Sequence, residues 1–123
     1  ARGLGARVHL LGGVAHADLP EYYAAADMLV LPSASEGLAN VWVEAGGGGT
    51  PILLSDIAPA YEMIDDPMVG RIAARDPVAI AAGVAAILAS PPDRAALSAH
   101  THARFNWQRN GAELAAYLRG LAA

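Results

Sequence analysis

Residues 31–56 read LPSASEGLANVWVEAGGGGTPILLSD, and this stretch decides the fold. It joins two short apolar runs, residues 28–31 and 52–54, each bounded by Asp, Pro, or Ser and apolar at successive positions rather than alternate ones. Runs of that kind suit strands buried on both faces, as in a parallel sheet covered by helices. Between them the residues after Ala39 support a helix that starts near Ala39 or Asn40. Strand, loop, helix, Gly-rich turn and strand make one βαβ unit, and its crossover is right-handed. The loop after the first strand therefore lies at the carboxyl edge of the sheet, where open α/β sheets bind ligands.

Outward from this unit the alternation continues, so the fold class is α/β. Residues 8–11 repeat the strand pattern, and a helix follows Asp18. Asp18 with Glu21 three positions on reads as a capping box, and Leu19, Tyr22, Tyr23 and Ala26 recur at the spacing of one core-facing stripe. Beyond residue 56 the pattern predicts a short helix near residues 60–64 and a fourth short strand at 70–73. Asp76 and Pro77 then start a helix with Ile80, Val84, Ile87 and Leu88 as its apolar stripe. Ser90, Pro91, Pro92 and Asp93 stop it and begin the next. A last helix, about residues 108–121, is expected to bury Leu114, Tyr117, Leu118 and Leu121, with Trp107 anchoring its start. Residues 46–49 are all Gly, each costing up to about 1 kcal/mol relative to Ala inside a helix, so they are predicted to fray it and form a turn. They lack the Lys of a phosphate loop and follow a helix rather than a strand.

The 123 residues are 54% hydrophobic, enough for one core. A formal net charge of -4, with no basic stripe, argues against nucleic acid as a partner. There is no Cys, hence no disulfide and no thiolate metal site. His100 and His102 stand two apart, which on a helix points them away from each other, and no metal is expected. No apolar run approaches the roughly 20 residues of a membrane-crossing helix. His16 reads as a solvent-facing loop residue, and Tyr22, Tyr23, Trp42 and Trp107 as core. The chain begins at Ala1 rather than Met, which reads as a piece of a longer polypeptide.

Chemistry is concentrated in the loop before the 40s helix. The free amides of Gly37, Leu38, Ala39 and Asn40 point out of the helix N-terminus and suit an anion such as a diphosphate. Gly37 lets that backbone come close to a ligand. Glu36 precedes the helix and Glu44 lies about one turn inside it, so two carboxylates flank the anion position. A carboxylate is a good bidentate acceptor for vicinal sugar hydroxyls.

Glu36 and Glu44, separated by seven residues in SEGLANVWVEA and followed by GTPILLSD, resemble the signature of glycosyltransferase family 4, the retaining enzymes of the GT-B fold. The likeness extends from LLGGVAHADLPEYYAAADMLVLPS through Glu62 to VGRIAARDP, and within the family it is nearest to bacterial cell-surface polysaccharide enzymes, including the teichuronic acid type. It implies that residues 1–123 are a single, partial C-terminal nucleotide-sugar-binding domain of Rossmann-like form. It implies further that Glu36 contacts the donor sugar near the reacting face and that Glu44 holds the ribose hydroxyls. The backbone at Gly37, Leu38, Ala39 and Asn40 would hold the diphosphate, Gly13 and Val14 would lie near the base, and Glu62 near the sugar or phosphates.

On this resemblance the donor is a UDP- or GDP-sugar, no cofactor or metal is required, and the acceptor is a carbohydrate or a lipid-linked molecule. The implied setting is the cytoplasm, with peripheral association at the inner face of the cell membrane as an alternative. The paired Arg and Lys that neutralise the diphosphate in this family are not in the sequence, which has no Lys, and Arg2 and Arg7 fall outside the ligand edge. The chain alone is therefore expected to be inactive, with an N-terminal domain supplying the rest. The Gly pair usual after the third strand is replaced by Ala58 and Pro59. Two other readings stay open: a non-catalytic nucleotide-binding module of the same fold, and a different GT-B enzyme such as an epimerase or phosphorylase.

Overall fold

The structure, a computed structural model, describes residues 3–121; Ala1, Arg2, Ala122 and Ala123 lie outside the described residues. A 3₁₀ turn at His16–Asp18 leads into α1 (Leu19–Ala25), followed by β1 (Leu29–Leu31), α2 (Asn40–Gly47), β2 (Ile52–Ser55), α3 (Ala58–Met63) and β3 (Gly70–Ala73). Three more helices complete it: α4 (Pro77–Ala89), α5 (Arg94–Arg104) and α6 (Trp107–Leu121). The strands form a parallel sheet in the order β1-β2-β3, with Leu29 opposite Ile52 and Ile52 opposite Gly70. This is the expected α/β architecture, a parallel sheet flanked by helices and consistent with a Rossmann-like C-terminal fragment of a GT-B fold.

Central position explains the composition of β2. All four of its residues are buried, and Ile52 and Leu54 join Trp42, Ala45, Met63 and Val69 in the core. Trp42 is the largest fully buried side chain, and its indole N–H is the one buried side-chain polar atom without a partner among the described residues. Local signals set the helix starts downstream. Asp76 caps α4 by accepting from the amides of Val78 and Ala79 at 3.0 and 2.9 Å, and Asp93 caps α5 through Ala95 and Ala96 at 2.9 and 3.1 Å. Pro59 sits in the first turn of α3, where a missing N–H costs nothing. On α4, Ile87 is buried as expected, whereas Leu88 is 55% exposed.

Five expectations are corrected. Residues 8–11 do not join the sheet, and Leu10 is 95% exposed; a strand needs a ladder beside it, and no described segment pairs with this one. The capping box at Asp18 is not made, because the preceding 3₁₀ turn already holds Asp18 in a helical conformation (φ -90°, ψ -17°) and its side chain accepts no cap bond. Tyr22, expected in the core, faces solvent, while Tyr23 is buried. The Gly run is not all turn either. Gly46 and Gly47 are helical, and a Cβ on Gly46 would stand 2.8 Å from Oγ1 of buried Thr101 on α5, so Gly46 lets two helices approach.

Finally, α6 buries none of its stripe: Trp107 is 85% exposed, and Leu114, Tyr117, Leu118 and Leu121 are all exposed. Asn106 Oδ1 accepts from the Arg109 amide at 3.0 Å, and the Arg109 guanidinium bonds the carbonyls of Ala103 and Arg104. These bonds fix the first turn of α6 across the end of α5, and no described element faces the remainder.

A less visible device joins the layers. Arg94, at the start of α5, donates from Nη1 to the carbonyl of Ala26 at 2.8 Å and from Nη2 to the carbonyls of Tyr23 and Ala24 at 3.1 and 3.0 Å. Nη2 also reaches Thr50 Oγ1 at 3.0 Å, and Thr50 in turn donates to the carbonyl of Tyr23. Carbonyls in the last turn of a helix have no intrahelical partner, and a cation there also complements the helix dipole. Toward the other end of α5, Asp65 pairs with His100 and Arg104 at 2.9 Å each. Burial opposes ionisation of Asp65, but the His100 hydrogen bond and the Arg104 charge together hold its carboxyl below the ordinary value.

The turn that seats Arg94 is intolerant of a side chain. Gly49 has φ +75°, and a Cβ there would lie 2.5 Å from the Arg94 carbonyl oxygen. Gly49→Ala is expected to destabilise the chain by about 2–4 kcal/mol, the range for strain combined with a backbone clash. Urea denaturation measures it, and a loss below about 0.5 kcal/mol, the range of a neutral surface change, would contradict this account of the turn.

Candidate functional site

The loop between β1 and α2 leaves the carboxyl end of the sheet, as the βαβ reading requires. Ser55 at the end of β2 donates its hydroxyl to the Ser33 carbonyl, tying the loop to the neighbouring strand. Ala39 is extended (φ -71°, ψ 131°) and α2 starts at Asn40 with no side-chain cap. Among the described residues, no acceptor meets the amides of Gly37, Leu38, Ala39 or Asn40. A Cβ built on Gly37 meets nothing within 4 Å, so the space before the helix is open.

Glu44 is held by two donors. Tyr23 donates its hydroxyl to Oε2 at 3.1 Å, and Nε2 of His16 lies 3.3 Å from Oε1. The three side chains meet at a hollow of about 430 Å³ between α1, α2, α5 and the start of α6, with Leu19, Val43 and Phe105 among its apolar walls. A second groove of about 350 Å³ continues from Glu44 to the N-terminus of α2, lined by Leu38, Asn40, Val43, Phe105 and Trp107. Desolvation raises the Tyr23 phenol first of all, and the adjacent Glu44 adds to it through the hydrogen bond and its charge; the result is a pKa pushed up to about 12. An apolar hollow with one partnered carboxylate at its edge can orient a polyol while excluding water from one side of it.

The structure thus brings Leu38, Asn40 and Glu44 to one groove. Glu36, Gly37 and Ala39 line neither hollow, though they adjoin it in the chain; Glu36 is half-buried and its carboxylate has no partner among the described residues. Gly13 is exposed and Val14 half-buried, in the loop that delivers His16. Glu62 is exposed on α3 and lines neither hollow; its carbonyl takes a 2.7 Å bond from Arg104. His16 is solvent-facing, with its side chain 85% exposed, yet it touches Glu44. Sequence reasoning placed Tyr23 in the core and missed its hydroxyl's role. Spacing gave no signal for this, because His16 lies in the 3₁₀ turn before α1 and Glu44 on another helix.

With this geometry in hand, the comparisons with known proteins define the class. The family described as "Glycosyl transferases group 1" matches residues 1–90, and the chain belongs to it. A D-inositol 3-phosphate glycosyltransferase of Salinispora tropica is 34% identical over 118 residues, covering 93% of this chain and 24% of that protein. The enzyme of the same name from Mycolicibacterium vanbaalenii is 32% identical, over 98% of this chain and 27% of its own length. A GDP-mannose-dependent alpha-(1-6)-phosphatidylinositol monomannoside mannosyltransferase of Mycobacterium tuberculosis is 29% identical, over 96% of this chain and 34% of its own. The chain thus spans between a quarter and a third of the length of these relatives. No solved structure matches it, and no helix among the described residues is long and apolar enough to cross a membrane.

The raised Tyr23 pKa has a linkage consequence. A phenol whose pKa is higher folded than unfolded contributes stability that is complete below the unfolded value, near 10, and is lost as pH rises through the folded value, about 12. Ultraviolet titration of the folded chain should show one phenol ionising at about 12, absent in Tyr23→Phe. A Tyr23 contribution, taken as the difference between the two curves, that ionises near the ordinary value of about 10 would contradict the Tyr23–Glu44 contact.

Proposed function

We propose that the chain is the donor-binding part of a retaining glycosyltransferase of family 4 type, which transfers a sugar from a UDP- or GDP-sugar to a cell-envelope or polysaccharide acceptor. The observation that carries this reading is the continuity of the groove. It runs from Glu44, suited to ribose hydroxyls, to the uncapped amides at the start of α2, suited to a diphosphate. Glu36, half-buried and unpartnered, stands one residue before those amides, where the sugar would follow the phosphates. Gly13 and Val14 lie toward the base, in the loop that also delivers His16, and Glu62 toward the sugar or phosphates.

In this reading the acceptor oxygen attacks the anomeric carbon on the face from which the diphosphate departs. The bond from that carbon to the phosphate oxygen breaks, and the leaving diphosphate takes the acceptor proton. Catalysis is then positioning and charge stabilisation, with no protein base, metal or cofactor required. The names of the relatives support a sugar-nucleotide donor and an acceptor of polyol or lipid-linked type: one is GDP-mannose-dependent and acts on a phosphatidylinositol monomannoside, and others act on D-inositol 3-phosphate. The intact enzyme would bring a further domain to close the cleft and supply the cations, acting in the cytoplasm or at the inner face of the membrane.

No Arg among the described residues lines the groove, so nucleotide binding to this chain alone should be in the range of about 1 mM or weaker, roughly 4 kcal/mol. In an amide NMR titration, UDP or GDP at about ten times that concentration should shift Gly37, Leu38 and Asn40 first, and Glu44→Ala should abolish the response. Shifts confined to residues away from the groove, or micromolar binding, would refute this reading.

A further inference from the structure

We infer that Tyr23 and His16 are positioning residues that aim the Glu44 carboxylate at the two ribose hydroxyls of the donor. This rests on Glu44 as the ribose ligand. A carboxylate offers about four acceptor sites, two on each oxygen. Tyr23 occupies one on Oε2 and His16 stands at one on Oε1, which leaves one on each oxygen for a pair of vicinal hydroxyls. Both donors come from the α1 side, so the free sites face away from α1, and the groove from Glu44 leads on to the start of α2.

The two donors are unequal. Tyr23 is 9% exposed, and its own carbonyl is held by Thr50 and by Arg94. It is therefore a fixed post against which the flexible Glu44 side chain is set before any ligand arrives. Pre-ordering of this kind removes part of the entropy loss that binding otherwise carries. His16 is 85% exposed and 3.3 Å away, so it trims the orientation without setting it. Their contribution runs through the carboxylate, so it is read in how well that carboxylate discriminates between ligands.

The test compares UDP and GDP with their 2′-deoxy counterparts on the full 123-residue chain, by NMR titration, taking the ratio of deoxy to ribo dissociation constants. The wild type should favour the ribonucleotide about tenfold, the effect of one hydrogen bond to a charged group, and Glu44→Gln should bring the ratio near one. Tyr23→Phe should cut the ratio at least about threefold while leaving the deoxynucleotide constant nearly unchanged, since a merely structural role would weaken both nucleotides alike. His16→Ala should cause a smaller drop in the same direction.

If Glu44→Gln loses discrimination but Tyr23→Phe keeps the full wild-type ratio, the positioning inference is overturned while the ribose reading stands. If the wild type shows no preference, or Glu44→Gln retains it, the ribose reading fails and takes this inference with it. Should Tyr23→Phe not fold, the exposed His16 site carries the test, and an unchanged ratio in His16→Ala overturns it.

Discussion

The Arg94 guanidinium donates to four oxygens at once: three carbonyls at the end of α1 and the hydroxyl of Thr50 just before β2. Hydrogen bonds to a charged group contribute about 1.5–3 kcal/mol each when the partner would otherwise be left unpaired. More important is what they connect. Arg94 begins α5, α5 packs on the glycines of α2, and α1 carries Tyr23, which holds Glu44 on α2. One side chain therefore fixes the relative placement of the three helices around the hollow. The Gly49 turn lies close against the Arg94 backbone and brings the chain from α2 into Thr50, which is why a side chain is excluded there.

From that frame the groove follows. Parallel order in the sheet puts the loop after β1 at the carboxyl edge, and Ser55 binds that loop to β2. Because Ala39 is extended and offers no side-chain cap, the first amides of α2 stay without acceptors among the described residues. An uncapped helix start costs stability in an isolated domain, about 1 kcal/mol relative to a capped one. Its retention beside Glu44 and an open Gly37 is what a phosphate-binding role would require. Membership of the glycosyl transferases group 1 family agrees with this arrangement.

What the sequence disclosed was whatever depends on near neighbours. The runs at residues 28–31, 52–54 and 70–73, and the caps at Asp76 and Asp93, are local signals, and each became the expected element. Partnership across the chain was not legible. Residues 8–11 have the strand pattern, but without a ladder the pattern makes no strand. The stripe of α6 is genuine amphipathicity with nothing described to cover it. The cluster of glycines at 46–49 looked like a turn because helix propensity is counted locally, whereas the reason for Gly46 is Thr101, far along the sequence. That Glu44 and the start of α2 share one groove follows from helical spacing, but the Tyr23 hydroxyl and the Arg94 clamp join residues 21 and 71 positions apart.

The central claim is that Glu44 and the start of α2 together form the seat of a sugar nucleotide. Its most direct test is an experimentally determined structure of the chain with UDP or GDP at saturating concentration. The account predicts ribose hydroxyls within hydrogen-bonding distance of Glu44, which still accepts from Tyr23, and the terminal phosphate over the amides of Gly37 to Asn40. A nucleotide found elsewhere on the molecule, with Glu44 bonded only to Tyr23 and His16, would contradict it.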